Sequence, residues 1–152
     1  MVTEPRNLSR REFSLAGICA LTVAIAPQIA LANADSLRAL VQRLFGDQGY
    51  EESKIKLDLP EMAENGMVVP ISVEVESPMT PDDYVWSLYI FAFANPVPQV
   101  SSYSFTPESG KAAISTRIRL AKSQEVVAVA EMSNGKVHVA KAPIKIMIGG
   151  CG

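Results

Sequence analysis

Histidine occurs once and cysteine twice in these 152 residues. The single histidine, His138, cannot build a Ser-His or Cys-His site alone, and no metal-ligand spacing surrounds it. Lying in a strand beside a hairpin, it reads as a solvent-facing residue. No run of lysine or arginine occurs and the formal net charge is −2, which makes nucleic acid a poor partner. A glycine-rich phosphate loop is missing. The adjacent carboxylates Glu51-Glu52 and Asp82-Asp83 fall in loops, where neighbours point apart, so paired acid–base work is not expected of them. There is no internal repeat, low-complexity tract or second domain. Apolar content of 48% and charged content of 20% exclude a disordered chain, and the length suffices for one domain with a core. These absences leave no active site, no cofactor site and no metal site of the chain's own. They suit a substrate carrier better than an enzyme.

The first 34 residues stand apart from the fold. Ser9-Arg10-Arg11-Glu12-Phe13 is a twin-arginine pattern, followed by an uncharged, alanine-rich stretch that runs to Ala34. It ends in Ala32-Asn33-Ala34, a small-x-small cleavage site, with Ala30-Leu31-Ala32 as the alternative. A transmembrane helix is the competing reading, since the run is long enough to span a bilayer. The richness in alanine, Pro27 and the lack of closely following basic residues favour a signal peptide. A lipoprotein is disfavoured by Ile18 before Cys19. Residues 1–34 are therefore expected to be a twin-arginine signal peptide, removed on export of the folded chain to the periplasm.

That expectation changes the cysteine count. Cys19 leaves with the signal, and Cys151 remains as the only thiol, unable to form an internal disulfide. It stands in Gly149-Gly150-Cys151-Gly152, directly after the apolar, strand-like Ile144-Lys145-Ile146-Met147-Ile148. Glycine lacks a Cβ, so the Gly149-Gly150 pair is expected to free the backbone from the sheet and make 149–152 a flexible arm. A thiolate is a nucleophile that forms covalent intermediates. The leading reading is that Cys151 carries a covalent cargo and presents it to other proteins. A second reading is a periplasmic binding or structural module whose cysteine forms an intermolecular disulfide. A third, a thiol enzyme, is the weakest, because no base or oxyanion donor can be assigned.

Between signal and arm, residues 35–148 read as a helix plus a β-rich domain. Asp35 or Ser36 is expected to cap a helix whose apolar stripe is Leu37, Leu40, Val41, Leu44 and Phe45. Period-two runs follow at 54–59, 69–76, 99–105, 114–120, 125–132 and 136–148, with Glu61–Gly66 expected to be a loop. Pro143 implies a break, a bulge or an edge position. The stretch 84–94 is apolar on both faces, with Trp86, Leu88, Ile90 and Ala92 on one, and Val85, Tyr89, Phe91 and Phe93 on the other. Either the N-terminal helix or another subunit must cover the second face. Asn134-Gly135 is a hairpin signal. About seven strands without βαβ alternation predict an all-β, immunoglobulin-like antiparallel β-sandwich with a short N-terminal α-helix.

The twin-arginine signal, the β-rich domain and the terminal Gly-Gly-Cys-Gly together resemble the SoxY family, the sulfur carrier subunits of the bacterial Sox thiosulfate-oxidising system. Val69-Pro70-Ile71-Ser72-Val73, Ser77-Pro78-Met79-Thr80 and Ala92-Phe93-Ala94-Asn95-Pro96 are similar to that family as well. One departure is visible: the family's tail usually has two glycines after the cysteine, and here only Gly152 follows. The resemblance implies a heterodimer with the small β-sandwich subunit SoxZ. It implies that the cysteine matching Cys151 is oxidatively joined to thiosulfate by a c-type cytochrome, SoxXA. A dimanganese hydrolase, SoxB, then releases sulfate, and a sulfane dehydrogenase, where present, oxidises the remaining persulfide. The carrier itself holds no metal or cofactor in this scheme. The Gly152 α-carboxylate beside the thiol disfavours the thiolate, so activation is expected from the partner enzymes. Sequencing the N-terminus of the exported protein should read Asp35 first, or Asn33 if the alternative site is used; an intact Met1 would refute the signal peptide.

Overall fold

The computed structural model describes residues 28–148, with side chains from residue 35 onward. The expected arm, Gly149, Gly150, Cys151 and Gly152, lies outside the described residues, as does the twin-arginine pattern. The described residues begin with α1 (Gln28–Phe45), followed by β1 (Ile55–Asp58), β2 (Met62–Asn65), β3 (Val69–Val75), β4 (Val85–Ala92), β5 (Gln99–Ser104), β6 (Ala112–Ile118), β7 (Gln124–Met132) and β8 (Val137–Ile148). The strands form two sheets, one ordered β1-β3-β6 and one ordered β2-β8-β7-β4-β5. They pack as the expected immunoglobulin-like sandwich.

The core follows from the period of two. In β3, Val69, Ile71, Val73 and Val75 are buried while Pro70 is exposed. They meet Leu88, Ile90 and Ala92 of β4, Ala128 and Ala130 of β7, and Ile144 and Ile146 of β8 between the sheets. The second face of the larger sheet is also dry. Leu37 and Val41 of α1 pack there on Phe91, Val127, Val129, Val137 and Val139. Phe45 meets Tyr89 edge-on at 5.8 Å, and Tyr89, Phe91 and Phe93 stack in sequence along the strand. The helix is thus the cover that the two apolar faces of β4 require.

Four expectations need correcting. The helix begins at Gln28, so Asp35 and Ser36 lie inside it; the alanine-rich residues before them favour helix and extend it. Residues 62–65 are a strand and not a loop. Their sequence, Met-Ala-Glu-Asn, has little β propensity, but β8 captures it as a parallel neighbour, with Met62 opposite Lys145 and Asn65 opposite Ile148. The described residues therefore form eight strands where about seven were expected. Trp86 does not share a face with Leu88. The register slips between Val85 and Ser87, a β-bulge that gives the core position to Val85 and leaves Trp86 55% exposed. Finally, His138 is buried, as described below.

The turn signals hold. Met132 and Lys136 close a three-residue hairpin loop in which Gly135 takes φ 83°, a value that β-carbon-bearing residues rarely adopt. Pro143 sits inside β8 without breaking it. Val139 and Lys145, which share its parity, turn their N–H groups away from β7, to the carbonyls of Glu51 and Glu61. Pro143 falls between those two attachments, where no backbone partner flanks β8 on that side, a local edge position.

Truncating Leu37 removes the helix's main anchor on the sheet. Leu37→Ala should cost about 3 kcal/mol in urea unfolding followed by far-UV circular dichroism. Truncating the exposed Leu44 in the same helix should cost well under 1 kcal/mol.

Candidate functional site: the root of the cysteine arm

Cys151 is three residues beyond the last residue of β8, so the end of that strand sets where the thiol can go. Its backbone is held from both sides. On one flank, Lys145 donates its N–H to the Glu61 carbonyl, and Gly66 donates to the Ile148 carbonyl at 2.9 Å. On the other, the Ile146 N–H donates to Ser123 Oγ at 2.9 Å, and that hydroxyl donates on to the Ile146 carbonyl. Strand order is therefore maintained up to the residue before Gly149.

The hydrogen bonds continue into the loops. The Gly66 carbonyl accepts from the Leu120 N–H at 2.8 Å. The next residue, Ala121, donates its N–H to Asn95 Oδ1, and Asn95 Nδ2 donates to the Arg119 carbonyl. Gln124 completes the knot by donating to Asn95 Oδ1 and accepting from the Ala94 N–H. Thus the β2–β3, β4–β5 and β6–β7 loops converge on the C-terminal end of β8. Asn65 tightens the turn by accepting the Met67 N–H at 2.8 Å.

Sequence reasoning named Gly149, Gly150, Cys151 and Gly152, but not Gly66, Asn95 or Ser123. The available signal was Asn95-Pro96 at the end of an apolar strand, which marks a stop without revealing what its side chain binds. Nothing in Gly66 or Ser123 announces a partner about 80 or 23 residues away.

The other end of β8 carries the histidine. His138 is only 1% exposed, against the expectation of a solvent-facing side chain. The alternation was right, since Val137 and Val139 face the helix, but the opposite face of β8 looks into the sandwich and not into water. Nδ1 lies 3.0 Å from Ser53 Oγ and 3.9 Å from Glu51 Oε2, while Nε2 has no hydrogen-bond partner. Serine and carboxylate crowd the same ring nitrogen, so this is not a relay from acid through imidazole to nucleophile. It is a latch. Glu51 exchanges backbone hydrogen bonds with Val137 and Val139, and Lys141 pairs with Glu52, tying the segment after the helix to β8. The Lys141 ammonium is accordingly held above its usual pKa, chiefly by its hydrogen bond to Glu52.

Among the described residues, no group of three or more His, Cys, Asp and Glu side chains is arranged to hold a metal ion. No described helix is long and apolar enough to cross a membrane. An open cleft of about 510 Å³ between α1 and the Gly46–Tyr50 segment is lined by Arg38, Gln42 and Asp47 among others, with no nucleophile and base paired in it.

The family profile described as "Sulfur oxidation protein SoxY" matches residues 41–151, a span that closes on the cysteine. The chain belongs to the SoxY family. Its fold matches the sulfur carrier protein SoxY from Chlorobium limicola f thiosulfatophilum with a TM-score of 0.62 and 33% identity, covering 76% of this chain and 99% of that one. The fold alone is shared with two further proteins. The superoxide reductase (neelaredoxin) of Ignicoccus hospitalis matches at 18% identity and TM-score 0.54, over 62% of this chain and 80% of that one. A putative superoxide reductase from Thermotoga maritima also matches at 18% identity, with TM-score 0.51, over 62% and 87% of the two chains. No curated protein matches the sequence. Membership in the SoxY family places the chain in sulfur oxidation, as the resemblance of its tail and strands implied.

Burial lowers the pKa of His138, reinforced by Lys54 and only partly offset by Glu51. The folded protein thus prefers the neutral ring. The unfolded chain binds this proton near pH 6.5, the folded chain only at lower pH. Stability from this residue is complete above about pH 6.5 and is lost as pH falls below it. Chemical unfolding of the wild type should show that slope between pH 7 and 5, and His138→Asn should flatten it.

Proposed function

We propose that this chain is the sulfur carrier of a periplasmic thiosulfate-oxidising system, with Cys151 as the covalent attachment point. The observation that carries the reading is the family match that runs without a break from α1 to Cys151. The likeness to a protein described as a sulfur carrier supports it. Loading joins Cys151 Sγ to the sulfane sulfur of thiosulfate through a new S–S bond. Two electrons leave in that step, and a c-type cytochrome of the SoxXA kind accepts them. Water then cleaves the terminal sulfonate as sulfate in a redox-neutral step on a SoxB-like hydrolase, and a persulfide stays on Cys151. A sulfane dehydrogenase oxidises that sulfur where one is present.

The division of labour suits the chain's chemistry. Gly149, Gly150 and Gly152 put no side chain beside the sulfur, so a narrow catalytic cleft can admit it. Several enzymes must accept the same tip in turn, and a bulky neighbour would have to fit all of them. The reading as a carrier and not an enzyme is supported by the likeness to a protein described as a sulfur carrier. Export by the twin-arginine route and pairing with a SoxZ-like subunit complete the proposal.

Intact-mass measurement of the exported protein from cells growing on thiosulfate tests it. Adducts of thiosulfate and of single sulfur atoms should appear on Cys151. Cys151→Ser should abolish them entirely and change unfolding stability by less than about 0.5 kcal/mol, as expected for a residue beyond the packed strands. A permanent disulfide-linked dimer with no sulfur adduct would instead establish the structural module.

A further inference from the structure

Five of the eight large apolar side chains that stay exposed among the described residues surround the end of β8. They are Met62 (55%), Met67 (48%), Val68 (60%), Met147 (59%) and Ile148 (68%). Their grouping follows from register. Ile144 and Ile146 face the core, so Lys145 and Met147 face outward, and the parallel pairing of Met62 with Lys145 puts Met62 on that outer face. Met67 and Val68 follow directly on Gly66, which is bonded to Ile148. The outer face of β8 is covered by α1 at Val137 and Val139, but its C-terminal half lies beyond that cluster.

From this the geometry points to a docking collar: these five residues form the surface on which the enzymes that take up Cys151 seat the apolar rims of their catalytic clefts. The inference rests on the carrier reading and goes beyond it by naming the contact surface. Two observations select that occupant. The first is reach. Cys151 is the third residue after Ile148, and three residues span at most about 11 Å in any conformation. An enzyme whose cleft encloses the sulfur must therefore bring its mouth to within roughly that distance of Ile148, which is onto the collar. The second is composition. Met62, Met67 and Met147 are all the exposed methionines of the described residues, while Met79 and Met132 are buried. Methionine is unbranched and polarizable, and it repacks against differently shaped partners at low cost. A surface that receives a cytochrome and then a hydrolase needs that adaptability more than one fixed fit.

The test uses the carrier purified together with its partner subunit, and compares the wild type with a Met62→Lys/Met67→Lys double variant. Loading from thiosulfate by the cytochrome, and sulfate release by the hydrolase, are followed by intact mass as a function of carrier concentration. Alkylation of Cys151 by iodoacetamide reports the thiol's own reactivity. The expected result is a KM for the carrier raised about tenfold or more with both enzymes, and an unchanged alkylation rate. Where the double variant does not fold, Met147→Lys is used, with a KM raised several-fold. An unchanged KM with either enzyme, while the wild type loads normally, overturns the collar and leaves the carrier reading standing. Loss of the partner subunit from the purified variant also overturns it, by assigning the surface to that subunit. A wild type that never takes up sulfur overturns the carrier reading and the collar together.

Discussion

β8 is hydrogen-bonded on one flank as far as Ile148, the residue before Gly149, and on the other as far as Ile146, and the rest of the molecule is arranged to make that possible. A strand at the rim of a sheet frays, and a thiol hung from it would sample a wide volume. Here β2 closes one flank and Ser123 the other, so the launch point of the terminal segment is a fixed position. The position of the sulfur is then limited by only three residues of backbone. The sandwich supplies the rigidity.

The cost of this arrangement is borne by the loops. Gly66, Leu120 and Asn95 each commit backbone or amide groups to one network, and the Asn95 side chain satisfies three partners, Arg119, Ala121 and Gln124. Each removed partner would strand a half-buried donor or acceptor, which is more costly than the bond itself is stabilising. At the opposite end of β8, His138, Ser53 and the Glu51 backbone fasten the segment that leads from the helix. The same strand therefore anchors the helix at its start and the carrier segment at its finish.

Much of this was legible in the chain because strands with one buried face, and tight hairpin turns, announce themselves. The alternation in β3 reports one buried face whatever strand lies beside it, and the Asn134-Gly135 loop joins β7 to its neighbour in sequence, β8. β2 was invisible because its residues have no strand preference of their own and pair with a strand some 80 positions later. The Trp86 face was misjudged because one extra residue in a bulge inverts every inference from parity. His138 was misjudged because alternation reports which face a residue takes, not whether that face is wet. For the site, Cys151 and its glycines were singled out from chemistry alone and lie outside the described residues, whereas the knot at Asn95 is a property of three loops meeting in space.

Pro143 has a consequence for how the chain survives before it finds partners. The flank of β8 between the Glu51 and Glu61 attachments is the one gap along that strand's outer side. An intruding extended segment, from a second copy or a half-folded neighbour, would need a donor there to begin pairing. The pyrrolidine ring withholds one of the donors that the gap would otherwise present, and Lys141, two residues before it, brings a charged side chain to the same stretch. The gap is thereby made a poorer template for strand exchange without another element to cover it.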